Sequence, residues 1–339
     1  MPVRHAPPCP RIGFSGVRHM REWGRRAALS AALLVCMAVL LWQNETASAA
    51  VRQGLTLCAR SVIPSLFPFF VVVSFAVGCG FFAVLRRLGL PVGAAVFLVG
   101  GVGGYPVGAR TVGELYRGGG LTKERAETLL TFCNNAGPSF IFAIAGVGVF
   151  GSQKVGLILY GVHILSALAA GGLLCGLRSA QNASKPNHSD MKHGSNDMKP
   201  AHCDMKMAGN CTKTAGNGMK LPALFVSCVG SAAAAMVNIC AFVIFFLVVM
   251  ALVRQAWPPV PPLVLGLLEL TGGITSLEAS PAGFCMAAAL LGWGGVSVHC
   301  QTAAVLEDTG LSLRRYLLAK ALQAVVSALF ALGLCCFSL

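Results

Sequence analysis

The chain has 339 residues, 55% of them hydrophobic and only 11% charged, with mean hydropathy +0.72. A soluble domain carries about 25% charged residues, so there is too little polar surface here to face water, and that class is excluded. The formal net charge is +14, but no basic patch is interleaved with aromatics as single-strand binders require, which excludes nucleic acid.

In chain order, residues 1–26 are a basic cytoplasmic N-terminus in which Arg4, Arg11, Arg18, Arg21, Arg25 and Arg26 precede the first apolar run, as the positive-inside rule asks. Residues 27–45 hold the run Ala27–Trp42, followed by Ala47-Ser48-Ala49. That layout fits either a first membrane anchor or a cleavable signal sequence; Trp42 and the later spans favour the anchor. Residues 46–178 make a first membrane half. In it Val51–Ile63, with Arg52 and Arg60, reads as an interfacial helix, and Leu66–Leu85 as a span stopped by Arg86-Arg87. Val92–Val112 is apolar and glycine-rich; Leu129–Phe150 and Val155–Leu177 are further spans.

Residues 179–221 change character. Lysines at 185, 192, 199, 206, 213 and 220 recur every seven residues among Pro186, Pro200 and several glycines. Such a degenerate repeat cannot bury a core, so it reads as a disordered cytoplasmic linker. Its His188, His193, His202, Cys203 and Cys211 match no closed metal site, and no metal is assigned. Residues 222–339 form the second membrane half, with apolar segments Leu224–Val253, Leu263–Leu277, Pro281–Leu306 and Tyr316–Phe337 and a basic stop at Arg314-Arg315. The apolar stretches are continuous rather than alternating, which selects helices over a barrel. The fold expected is an all-α polytopic membrane protein of about seven to nine segments. Its 14 cysteines lie mostly inside apolar runs without a Cys-x-x-Cys pair, as small hydrophobes.

The two halves resemble each other. A shift of 191 residues places Gly101, Gly103, Gly104, Val107, Thr111 and Leu115 on Gly292, Gly294, Gly295, Val298, Thr302 and Leu306, the signature of an internal repeat. Both matched segments resist an unbroken helix. The first contains Pro106, which removes a backbone donor, and glycines that cost about 1 kcal/mol each relative to Ala. Inside a membrane such a break survives where it is buried in protein or lines a wet cavity, and the exposed N–H groups of a half-helix suit an anion. Gly103, Gly104, Tyr105, Pro106, Gly294 and Gly295 are therefore candidate solute contacts. Polar groups inside apolar spans extend the set: Asn134 and Asn135 before Gly137-Pro138, then Glu269, Ser297, His299 and Gln301. His163 and Asn238 are further intramembrane polar groups, while Glu114, Glu307 and Asp308 sit at segment ends, where solvation is expected.

Enzyme signatures are missing. Gly101-x-Gly103-x-x-Pro106 lacks the last glycine of a dinucleotide fingerprint, and there is no Walker or His-Glu-x-x-His motif. Ser297-x-His299 has no carboxylate placed to orient the histidine. Neither an enzymatic activity nor a cofactor is expected.

The runs Val62-Ile63-Pro64-Ser65-Leu66-Phe67-Pro68-Phe69-Phe70, Gly104-Tyr105-Pro106-Val107-Gly108-Ala109 and Phe132-Cys133-Asn134-Asn135-Ala136-Gly137-Pro138 resemble the sporulation integral membrane protein YlbJ family, whose members carry nucleoside-recognition (Gate) domains. Glu269-x-Thr271-x-Gly273 and Gly292-Trp293-Gly294-Gly295-x-Ser297-Val298-His299-x-Gln301 resemble that family's second-half motifs. The resemblance implies a multi-pass protein of a mother-cell or forespore membrane that moves a small anionic metabolite, dipicolinate first among them; the residues themselves are compatible with this, with Glu269 or His299 as candidates to carry a coupling ion or proton. The alternative it leaves is a non-transporting assembly factor for the spore envelope, whose partners are other spore-membrane proteins.

Overall fold

The computed structural model describes residues 15–183 and 221–337, and every regular element among them is helical. The heptapeptide array, with the linker reading and its histidines and cysteines, lies outside the described residues. The chain divides into two compact units, 1–49 and 50–339. The first contains α1 (Ser15–Trp42), whose Trp23–Trp42 stretch is long and apolar enough to cross a membrane.

The next helix, α2 (Asn44–Leu57), begins in the first unit and ends in the second, where it passes through a π-helical turn at Cys58–Val62 into α3 (Ile63–Gly78). There follow α4 (Phe81–Arg87), α5 (Val92–Gly103), α6 (Val107–Arg117), α7 (Lys123–Cys133), and α8 (Pro138–Phe140), which continues as a π-helix over Ile141–Val149. Then come α9 (Gln153–Ala183), α10 (Leu221–Ala256), α11 (Pro262–Leu268), α12 (Leu270–Thr275), α13 (Pro281–Trp293), α14 (Gly295–Val305) and α15 (Arg314–Phe337).

Six helical stretches among the described residues can span a membrane, or seven if α3 and α4 count as one. That is the low end of the expected number, for three local reasons. The segment Leu66–Leu85 is bent by 66° at Gly80, whose φ of +74° only glycine adopts freely. α5 has 12 residues, about 18 Å at 1.5 Å per residue, against a hydrocarbon core of about 30 Å. Leu263–Leu277 is not one crossing helix either: α11 and α12 fold onto each other, and a Cβ on Gly273 would lie 2.0 Å from Gly266 Cα.

One face of α15 packs against α7, α9 and α13. Tyr316, Lys320, Gln323 and Ser327 are each 0% exposed, while Leu318, Val325 and Leu329 face outward. Steps of four, three and four residues keep the polar set on one helical face. The helix is thus polar toward the protein and apolar toward its surroundings, the arrangement lipid favours.

α6 packs on α14, the segment that the 191-residue shift lays over it. At their ends Arg117 and Asp308, equivalent under that shift, form an ion pair. Glu114 is not solvated as its position suggested: Arg110 Nε donates to its Oε1 at 2.8 Å and Ser74 Oγ donates at 2.9 Å. Asn238 is exposed on the outer face of α10.

Candidate functional site

Four interruptions of helical structure meet in the interior: Gly104–Pro106 between α5 and α6, Asn134–Gly137 between α7 and α8, Glu269 between α11 and α12, and Gly294 between α13 and α14. Glycines let the backbones touch. A Cβ on Gly104 (φ +81°) would lie 3.0 Å from Gly137 N, and one on Gly295 (φ +85°) 3.0 Å from Leu270 N. A Cβ on Gly294 would meet the Tyr105 ring at 3.2 Å. A Cβ on Gly100 or Gly108 would lie 1.9 Å from the Cys133 carbonyl oxygen. The glycines therefore do two things: they let the chain turn, and they let α5, α6 and α7 close on one another.

Three of these breaks, all but the one at Gly294, border a cavity of about 460 Å³. Of the sequence candidates, Gly103, Gly104, Tyr105, Glu269 and Gln301 line it, joined by Arg60, Gly137 and Ser139. The Glu269 carboxylate is buried and caps α12, accepting from Thr271 N at 3.0 Å and Gly272 N at 2.7 Å. Arg60 enters through the π-helical turn at Cys58–Val62, a distortion that often marks functional positions. It also borders a second hollow of about 490 Å³, lined by Arg52, Thr56 and Thr271, that adjoins the first through Arg60, Leu57 and Thr271.

The other candidates lie behind this wall. Pro106 is buried at the start of α6. Asn134 accepts from Ala109 N at 3.3 Å and donates to Thr302 Oγ1 at 3.0 Å and Tyr316 Oη at 3.2 Å. His299 Nδ1 pairs with Tyr316 Oη at 3.0 Å, its ring meets Trp293 edge-on, and its Nε2 is buried without a hydrogen-bond partner among the described residues. Ser297 accepts from Gln301 Nε2 at 3.2 Å. Gly294 and Gly295 are covered by Tyr105 and by the α11–α12 elbow, so their backbones pack rather than face the cavity.

The group that sequence reasoning missed is Lys320. Its ammonium donates to Gln323 Oε1 at 2.8 Å and to Asn135 Oδ1 and Tyr105 Oη at 3.4 Å each. Gln323 donates in turn to the His163 carbonyl, and His163 Nε2 accepts from Ala136 N at 3.0 Å. A signal was present: Tyr316, Lys320, Gln323 and Ser327 make a polar stripe through an apolar helix, easily masked by the nearby Arg314-Arg315 stop.

No family model matches the chain, and no solved structure matches it. The chain is similar to the sporulation integral membrane protein YlbJ of Bacillus subtilis (strain 168), at 24% identity over 88% of this chain and 79% of the relative. The resemblance to the YlbJ family holds. It extends far beyond the motifs that first suggested it and covers both membrane halves. YlbJ is an integral membrane protein of sporulation; this chain, with its apolar helices, is likewise a multi-pass membrane protein.

Proposed function

We propose that the chain is a transporter that carries a small polar, anionic metabolite across a membrane of a spore-forming cell, with dipicolinate the first solute to test. The observation behind this reading is the meeting of three helix interruptions on one cavity inside the membrane unit, with the fourth, at Gly294, packed behind Tyr105. Irregular backbone at membrane depth is costly unless it is buried in protein or lines a wet cavity, and broken helices around a central site are how many secondary transporters hold solute. The volume falls within the roughly 300–1,000 Å³ of small-molecule sites. Arg60 supplies a cation at the wall, and the first turn of the helix that begins at Pro138 brings Ser139 and the positive end of its dipole there. In this mechanism the solute enters past Arg52 and Arg60, and the half-helices α6 and α14 shift to open the opposite side. No chemistry is performed on the solute.

The test is uptake of a panel of radiolabelled anions, dipicolinate included, into proteoliposomes, with wild type compared with Glu269→Gln and Asn135→Ala. Saturable uptake of one anion, reduced in both folded variants, supports the reading. Absence of uptake with and without ion gradients contradicts it and favours an assembly role alongside other spore-membrane proteins.

A further inference from the structure

Lys320 is used by nothing above. It is fully buried in the middle of the polar face of α15, and among the described residues no carboxylate lies within ion-pair distance of it. A buried charge without a counter-charge is expensive, so a lysine in this position demands an explanation. A merely structural cation would be better served by an acidic partner.

Its surroundings are neutral on every side. Tyr105 and Asn135 hold it from the two chain breaks and Gln323 from its own helix. Of the titratable groups on the packed elements, Cys133 of α7, His163 of α9, His299 of α14 and Tyr316 of α15 are buried around it, while Glu127 of α7 is turned to Ser312 N and Arg315. α13 contributes the Leu291 carbonyl, which accepts from Tyr105 Oη at 3.1 Å. The site satisfies both protonation states. The ammonium has three acceptors, and the neutral amine offers a lone pair to which the Tyr105 hydroxyl can turn. Tyr105 also lines the cavity, as do Ala136 and Gly137 beside Asn135. The ammonium therefore ties two walls of the cavity to α15.

We propose that Lys320 exchanges a proton during the transport cycle and so couples the shape of the cavity to the proton gradient. When the ammonium gives its proton to water by way of the Tyr105 hydroxyl, the N–H bonding pair stays on Nζ. The ties to Tyr105 and Asn135 then weaken together, and the two breaks are free to move against α15. This inference rests on the transport reading above and assigns its coupling group, in place of Glu269 and His299.

Two measurements on the full chain in liposomes test it. The first compares anion uptake with and without an imposed pH gradient in wild type, Lys320→Arg and Lys320→Gln, alongside solute exchange at equal pH. Arginine keeps the charge but does not release a proton. The expected result is loss of the response to the pH gradient in both variants while exchange persists; a response retained by Lys320→Arg overturns the proposal. The second needs no transport: solid-state NMR of protein labelled with ¹⁵Nζ-lysine, the Lys320 signal being the one absent from Lys320→Arg. A signal that converts between ammonium and amine within the pH range of the folded protein supports proton exchange, and one that remains ammonium throughout overturns it. Failure of all anions to be taken up sinks the transport reading, while the NMR result still decides Lys320.

Discussion

The breaks at Gly104 and Gly294–Gly295 share a backbone and diverge in their side chains. Both halves turn on glycine at positive φ, and Gly104 and Gly295, 191 residues apart, approach another break's backbone nitrogen at the same Cβ distance, 3.0 Å. Yet the first break faces the cavity with its backbone and Tyr105, whereas the second is covered and sends Gln301 to the cavity and His299 to Tyr316. Further along, Arg110 and Glu114 on α6 form a largely buried ion pair, while the equivalent positions on α14 are Gln301 and Val305. A glycine break is a device of the main chain, and what surrounds it decides whether it serves a cavity or a scaffold.

The largest expected effect separates the two half-helices. Arg110→Met leaves Glu114 buried without its cation and should cost about 3–5 kcal/mol, whereas Gln301→Leu loses one hydrogen bond to Ser297, about 1 kcal/mol. Thermal unfolding in detergent measures both, and equal losses would erase the distinction. Next, Gly104→Ala and Gly295→Ala should each lose more than the roughly 1–3 kcal/mol of a non-glycine residue at positive φ, and by similar amounts, because each new methyl meets backbone. Gly80→Ala, at φ +74° with open space around it, should lose only the conformational part. A large difference between Gly104→Ala and Gly295→Ala would break the equivalence of the two turns.

The smallest effect is at the ends of α6 and α14. The hydrogen bonds from Arg117 hold the Asp308 carboxyl below the ordinary aspartate value of 3.8. A carboxyl lowered on folding stabilises the folded state above that value, and the contribution fades as the pH falls through the lower folded-state value. Because the pair is exposed, Asp308→Asn should cost only about 0.2–1 kcal/mol at neutral pH. The difference from wild type should shrink in high salt and vanish in acid, as unfolding midpoints across pH would show.

Much of the fold was legible because lipid imposes it. Continuous apolar runs give α9, α10 and α15, and Gly and Pro clusters give the breaks at Gly104, Asn134–Gly137 and Gly294. The bend at Gly80 was not legible, since one glycine in an apolar run is tolerated more often than it kinks. Nor was the fold-back of α11 on α12, which depends on Gly266 and Gly273 meeting each other and on Leu290 packed beside them. Of the site, Glu269 and Gln301 stood out as polar groups in apolar segments. Lys320 did not, because a lysine five residues after the Arg314-Arg315 stop resembles a flank that reaches toward water, and only the packing of α15 against α7, α9 and α13 shows it to be enclosed.

The most direct test fills the cavity. Ala143 lines it, so Ala143→Trp should obstruct the path while leaving the packed core intact; Val325→Trp, on the outward face of α15, is the matched control. With both variants folded by size-exclusion and thermal midpoint, uptake of the transported anion should be abolished in Ala143→Trp and unchanged in Val325→Trp. Equal uptake by the two would mean that solute does not pass through this cavity.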